Sequence, residues 1–122
     1  MRMIPKVRDL IEEAWRNTNN WESNYHEAQG LLEAALLDDP NSIVLLTCLG
    51  AVYSDQGFHR KADGVLRKAI SLGSMDGNTF FSRAVALLNL GKRGNAERLF
   101  KKANGLSGGS ETWAAYFDAQ GH

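Results

Sequence analysis

The chain has 122 residues, 43% of them apolar and 23% charged, with 14 Lys/Arg balanced by 14 Asp/Glu. That composition is that of an ordinary soluble protein and argues against long disorder, and the length is that of a single domain with a core of its own. The single cysteine, Cys48, excludes an internal disulfide and a cysteine-rich structural zinc site, and points to a reducing, cytoplasmic setting.

In chain order, Met1 to Asp9 is basic but has no apolar segment or small-residue cleavage site, so no secretory signal is expected. A first helix is predicted over 5–18, with Pro5 at its start. A second, over 25–38, places Ala28, Leu32 and Ala35 on one face at i, i+4 and i+7 and ends before Pro40. Ser42 is a good N-cap for a third helix over 43–56, in which Leu46, Leu49, Gly50 and Tyr53 share a face and Gly50 leaves room for a close neighbour. This apolar stretch is interrupted by Thr47 and Gly50 and falls far short of a bilayer span, so no membrane contact is expected. After a turn at Gly57, Ala62, Leu66 and Ala69 define a fourth helix over 59–72. Asp76 caps a fifth over 77–90, and Gly91 turns the chain into a sixth over 93–105 that carries Ala96, Phe100 and Ala103. The stretch Gly105-Leu-Ser-Gly-Gly-Ser lacks the Lys-Ser/Thr ending of a phosphate-binding loop and reads as a connection. A seventh helix over 111–119 follows, with Trp113, Tyr116 and Phe117 placed to cover the end of the preceding unit.

Shifted against itself by 34 residues, the chain aligns Ala28, Ala62 and Ala96, then Leu32, Leu66 and Phe100, then Ala35, Ala69 and Ala103. The same offset pairs Ser42 with Asp76 and Ser110, and Gly57 with Gly91. Core, cap and turn positions therefore recur together, which defines an all-α chain of units at about 9–42, 43–76 and 77–110, plus the capping helix. The middle unit, Leu46-x2-Leu49-Gly50-x2-Tyr53-x3-Gly57-x4-Ala62-x3-Leu66-x2-Ala69, resembles the tetratricopeptide repeat signature. So does the third, from Phe80 and Ala84 to Ala103, except that Arg83 stands where the family has an aliphatic residue. The first unit keeps Ala28, Leu32, Ala35 and Pro40, and a two-residue insertion within 17–24 brings Leu10 and Ala14 onto the pattern.

The resemblance implies a right-handed α-α superhelix, a solenoid of about seven helices, whose first helix in each unit lines a concave groove. Carried over residue by residue, the groove positions are Val44, Thr47, Ala51, Ser54 and Asp55 in the middle unit and Asn78, Phe81, Val85, Leu88 and Asn89 in the third. Only Asn17 can be named in the first. Family members that clamp acidic chaperone tails use Lys, Asn and Arg on these helices. Here Asn78, Ser82 and Cys48 stand at the corresponding places, which disfavours that ligand and leaves a groove suited to an apolar helix or extended segment.

No set of residues points to catalysis. His26, His59 and His122 have no metal-ligand spacing, the pairs Glu12-Glu13 and Asp38-Asp39 diverge on a helix, and Cys48 reads as a small buried hydrophobe. No catalytic, cofactor-binding or metal residue is nominated. Residues 1–55 hold 4 Lys/Arg and 9 Asp/Glu, whereas 56–122 hold 10 and 5. Arg67-Lys68, Lys92-Arg93 and Lys101-Lys102 form a basic outer edge without the reading element or stacking aromatics of a nucleic-acid site. The function expected is that of a cytoplasmic module binding a protein or peptide, in the manner of a small secretion chaperone or toxin-neutralising protein. A self-assembling homo-oligomeric scaffold is the alternative, and a nucleic-acid accessory role ranks below it.

Overall fold

Caps and left-handed glycines set the helix boundaries. The Ser42 hydroxyl accepts the Leu45 N–H at 3.2 Å, and the Asp76 carboxylate accepts the Asn78 N–H at 2.8 Å. Gly57 and Gly91 adopt φ of 86° and 81°, a region that only glycine enters without strain. Each lets the next residue close a turn: Phe58 N–H donates to the Tyr53 carbonyl and Lys92 N–H to the Leu87 carbonyl, both at 2.9 Å. Ser42 and Asp76, Gly57 and Gly91, Phe58 and Lys92, and Tyr53 and Leu87 are each separated by the 34-residue sequence offset.

The computed structural model describes residues 3–109 and Thr112. These form α1 (Met3–Arg16), α2 (Trp21–Asp38), α3 (Ile43–Asp55), α4 (His59–Ser71), α5 (Gly77–Asn89) and α6 (Arg93–Asn104), with a short 3-10 helix at Thr18–Asn20 and no strand among the described residues. The expected helix over 111–119 lies, apart from Thr112, outside the described residues. Consecutive helices pack as α1 on α2, α3 on α4 and α5 on α6, and these pairs join through α2 on α3, α4 on α5 and α3 on α5.

Helix α3 is the centre of the core, buried without interruption from Leu45 to Tyr53. Around it lie Val7 and Ile11 of α1, Tyr25 and Leu32 of α2, and Ala62 and Leu66 of α4, all fully buried. A Cβ placed on Gly50 would lie 2.4 Å from the Leu66 Cγ, so the glycine is what allows α3 and α4 to meet at this depth.

The first pair departs from the expected boundaries. Helix α1 stops at Arg16 and not at residue 18, because the Asn17 side chain accepts the Asn19 N–H (3.2 Å) and its carbonyl the Asn20 N–H (2.9 Å), bending the chain into the 3-10 turn. Helix α2 then begins four residues early, and its first residue, Trp21, stacks on Tyr25 with ring centroids 4.2 Å apart. On α1 the buried face is Ile4, Val7, Ile11 and Ala14, with Leu10 half-buried beside it.

Alanine at position 50 adds about 1 kcal/mol of helix propensity. It also forces a methyl group into the Leu66 branch point, an overpacking that costs about 1–3 kcal/mol. Gly50→Ala is therefore expected to lower the urea midpoint followed by circular dichroism, and an unchanged or higher midpoint would show that the two helices can part without loss.

Candidate protein-binding groove

Helices α3 and α5 lie side by side, each the first member of its pair, and a line of hydroxyls joins them. Thr47 and Thr79 are fully buried, with their oxygens 2.7 Å apart, and the Ser74 hydroxyl reaches Thr79 at 2.8 Å. Each hydroxyl can donate once and accept, so the line satisfies groups that would be costly if left alone in the core. Ser74 in turn accepts the Asp76 N–H at 3.2 Å.

At the start of α5 the Asp76 carboxylate gathers the connection that follows α6. Besides capping Asn78, it accepts the Gly109 N–H at 2.7 Å and the Thr112 hydroxyl at 2.6 Å. The Asn78 amide donates to the same Thr112 oxygen at 3.0 Å. Gly77 is close enough to this connection that a Cβ would lie 2.8 Å from the Leu106 carbonyl oxygen, while its N–H donates to Ser107 at 2.9 Å.

These contacts sort the groove residues named from sequence. Thr47, Ala51 and Asn78 are buried, Thr47 within the hydroxyl line and Asn78 on Thr112. Val44 is half-buried against the core, and Ser54 and Val85 are half-buried. Asp55 is exposed but accepts the Tyr25 hydroxyl at 2.6 Å, and Tyr25 also accepts the Trp15 indole N–H at 3.1 Å. Asn89 is exposed and donates its amide to the Val85 carbonyl at 2.9 Å. The remaining two carry the open apolar surface: Phe81 is 48% exposed and Leu88 47%. With Val85 between them at i, i+4 and i+7 they form one stripe along α5, and Phe81 is held from behind by Phe100, edge-on at 5.5 Å.

Two polar clusters support this arrangement from below. Asp63 of α4, only 6% exposed, accepts from Arg83 Nε of α5 at 2.9 Å and from Arg67 of its own helix at 2.7 Å. Burial pushes the Asp63 carboxyl up, but hydrogen bonds and charge from Arg83 and Arg67 outweigh it and hold it below the usual aspartate value. Tyr53 donates to Glu33 of α2 at 2.5 Å, and burial, reinforced by Glu33, raises the phenol well above its ordinary value. Burial and the neighbouring Asp55 do the same to Tyr25, so both phenols stay neutral donors.

The sequence marked Arg83 as an oddity without its partner. Asp63 was missed because the only trace of it is a charge at an aliphatic position 20 residues away. Among the described residues, no three His, Cys, Asp or Glu side chains come together as a metal site, and no helix is long and apolar enough to cross a membrane. In comparison with known proteins, the chain matches no protein-family model and no curated protein.

Removing Asp63 strands Arg83 in a half-buried position, and breaking a buried pair in this way costs about 3 kcal/mol or somewhat less given the residual exposure of Arg83. Asp63→Leu is expected to destabilise by that order in urea titrations, while Asp63→Leu with Arg83→Leu recovers most of the loss because the pair is replaced by apolar packing. The pH dependence has a definite sign. A depressed folded value stabilises the chain in full above the unfolded aspartate value of about 3.9 and is lost as pH falls through the folded value. The stability advantage of wild type over Asp63→Asn should therefore shrink as pH falls from neutral into the acid range, and a gap that stays constant there would contradict the pairing.

Proposed function

We propose that the chain is a three-unit helical array of the tetratricopeptide kind, a right-handed solenoid closed by its C-terminal segment, that holds one protein or peptide partner. The repeat offset supports the array, since α3 and α5 start 34 residues apart, as do α4 and α6, with caps and glycine turns in step. The partner is an apolar helix or extended segment laid along α5. One observation carries this reading: Phe81, Val85 and Leu88 present an apolar stripe on a helix whose other faces are buried. A stripe of this kind at helical spacing is the complement of an amphipathic partner helix. With Thr47, Ala51 and Asn78 inside the protein, the binding surface is narrower than the ten positions of the motif and centred on the third unit. The role is to carry or mask that partner, as small secretion chaperones and toxin-neutralising proteins of this architecture do, and binding rather than catalysis is what the side chains offer.

The stripe also sets the magnitude. Phe81 and Leu88 keep about half their surface exposed, so covering them contributes roughly 1 kcal/mol each, half the value for full burial. Amphipathic helical peptides selected by display on the wild-type chain should bind the Phe81→Ser, Leu88→Ser double variant about 30-fold more weakly. Circular dichroism of the variant should show unchanged helix content. Equal affinity for both proteins would move the site elsewhere.

A further inference from the structure

The surface charge of α4–α6 is far from balanced: residues 56–109 hold 10 Lys/Arg against 3 Asp/Glu, and internal contacts engage two of those three carboxylates. Residues 56–109 contain three carboxylates, Asp63, Asp76 and Glu97. Asp63 is buried between two arginines, and Asp76 is engaged by the N–H groups of Asn78 and Gly109 and by the Thr112 hydroxyl. Glu97 is thus the one carboxylate of this stretch left on open surface. Arg60, Lys61, Lys92 and Arg93 are all exposed and enter no ion pair among the described residues. They sit at the turns that open α4 and α6, where neither first turn carries an acidic residue. Electrostatics of a helix start favours carboxylates there, so cations at both starts raise the positive potential of a single edge.

This edge is also shaped. A cleft of about 700 Å³ runs from Asn19, Glu22 and His26 to Gln56, Phe58 and Lys61. A second, of about 360 Å³, shares Phe58 and Lys61 with it and continues past His59 and Arg60 to Leu90 at the end of α5. Lys61 is held at the junction, its ammonium 5.5 Å from the Phe58 ring and 5.7 Å from that of Tyr53. Phe58 remains 44% exposed between the clefts, and His59 Nδ1 is buried with no hydrogen-bond partner among the described residues.

We propose that this furrow docks an extended acidic segment of a partner protein. A large apolar side chain of the segment sits against Phe58 and Leu90, and its carboxylates pair with Arg60, Lys61, Lys92 and Arg93. The geometry favours an extended chain: α4 and α6 each pack on α5, packed helices stand about 8–10 Å apart, and an extended segment gains about that length with every three residues. A peptide fits better than a nucleic acid because the cations flank an apolar dimple of Phe58 and Leu90 rather than a row of aromatics on which successive bases could stack. The surface lies on the turns, separate from the α5 stripe, and stands independently of the function proposed above.

The test is fluorescence anisotropy with a labelled ten-residue peptide that alternates Asp and Glu with Leu and Phe. The chain should bind it, and Lys61→Glu with Arg93→Glu should weaken binding at least about tenfold. Phe58→Ser should weaken it about fivefold while leaving an oligoglutamate of equal length, the weaker ligand, little changed. Lys68→Glu with Lys102→Glu changes net charge by the same amount on the same helices away from the turns, and should leave affinity within about twofold. Circular dichroism checks that each variant is folded, and the exposed Lys61 and Arg93 carry the test if Phe58→Ser does not fold. The proposal is overturned if the peptide does not bind, if the Lys68/Lys102 variant loses as much as the edge variant, or if a single-stranded oligonucleotide of ten nucleotides binds more tightly than the peptide.

Discussion

The meeting of α3 and α4 at Gly50 leaves no space for even one methyl group, and that constraint propagates outward. Because the two axes come so close, Leu66 packs directly on the α3 backbone and α3 is buried along nine consecutive residues. A helix enclosed to this degree, in contact with α2, α4 and α5 at once, has no free apolar face of its own. Large exposed apolar side chains can therefore gather along a helix only where this enclosure stops, and on α5 it stops at Phe81 and Leu88. The position of the candidate groove follows from core packing, not from a loop or an insertion.

Polar contacts fix what packing leaves open. The pairing of α3 with α5 includes the buried Thr47–Thr79 contact, and a hydroxyl pair in a buried interface has a direction that methyl groups lack. Asp76 extends that order to the connection after α6 by binding two N–H groups and a hydroxyl. Asp63 plays the corresponding part between α4 and α5, where it is shared by two arginines. Asp63 and Asp76 are both engaged by these joints, so the joints add to a positive character that the C-terminal half already has in its composition.

Helices α3 to α6 were legible almost to the residue because their ends are encoded locally: Ser42 and Asp76 as caps, Gly57 and Gly91 as left-handed turns. The first pair was harder. Its turn is built from residues 17–20, where the Asn17 side chain caps a 3-10 helix in a way that polar residues of an ordinary loop would imitate in sequence. Groove positions were legible as a helix face but not as a surface. Periodicity places Thr47 and Asn78 on that face, yet whether they meet solvent depends on Thr79 and Thr112, which lie 32 and 34 residues away. Arg83 stood out only as a charge at an aliphatic position, and no local rule connects it to Asp63.

The two candidate surfaces draw on different parts of the same unit. Along α5 the apolar stripe is what remains when one helix face lacks a covering neighbour, and it carries no cation between Phe81 and Leu88 except Arg83, whose guanidinium is turned inward to Asp63. At the turns the relation is reversed: Phe58 and Leu90 are bordered by exposed cations that no internal carboxylate neutralises. Replacing Arg83 by an aliphatic residue would thus remove one buried pair and leave Arg67 as the only partner of Asp63 among the described residues, without changing the charge presented at the turns. Stability of the α4–α5 joint and electrostatics of the basic edge are separable properties, since the charges that serve the first are hidden from the second.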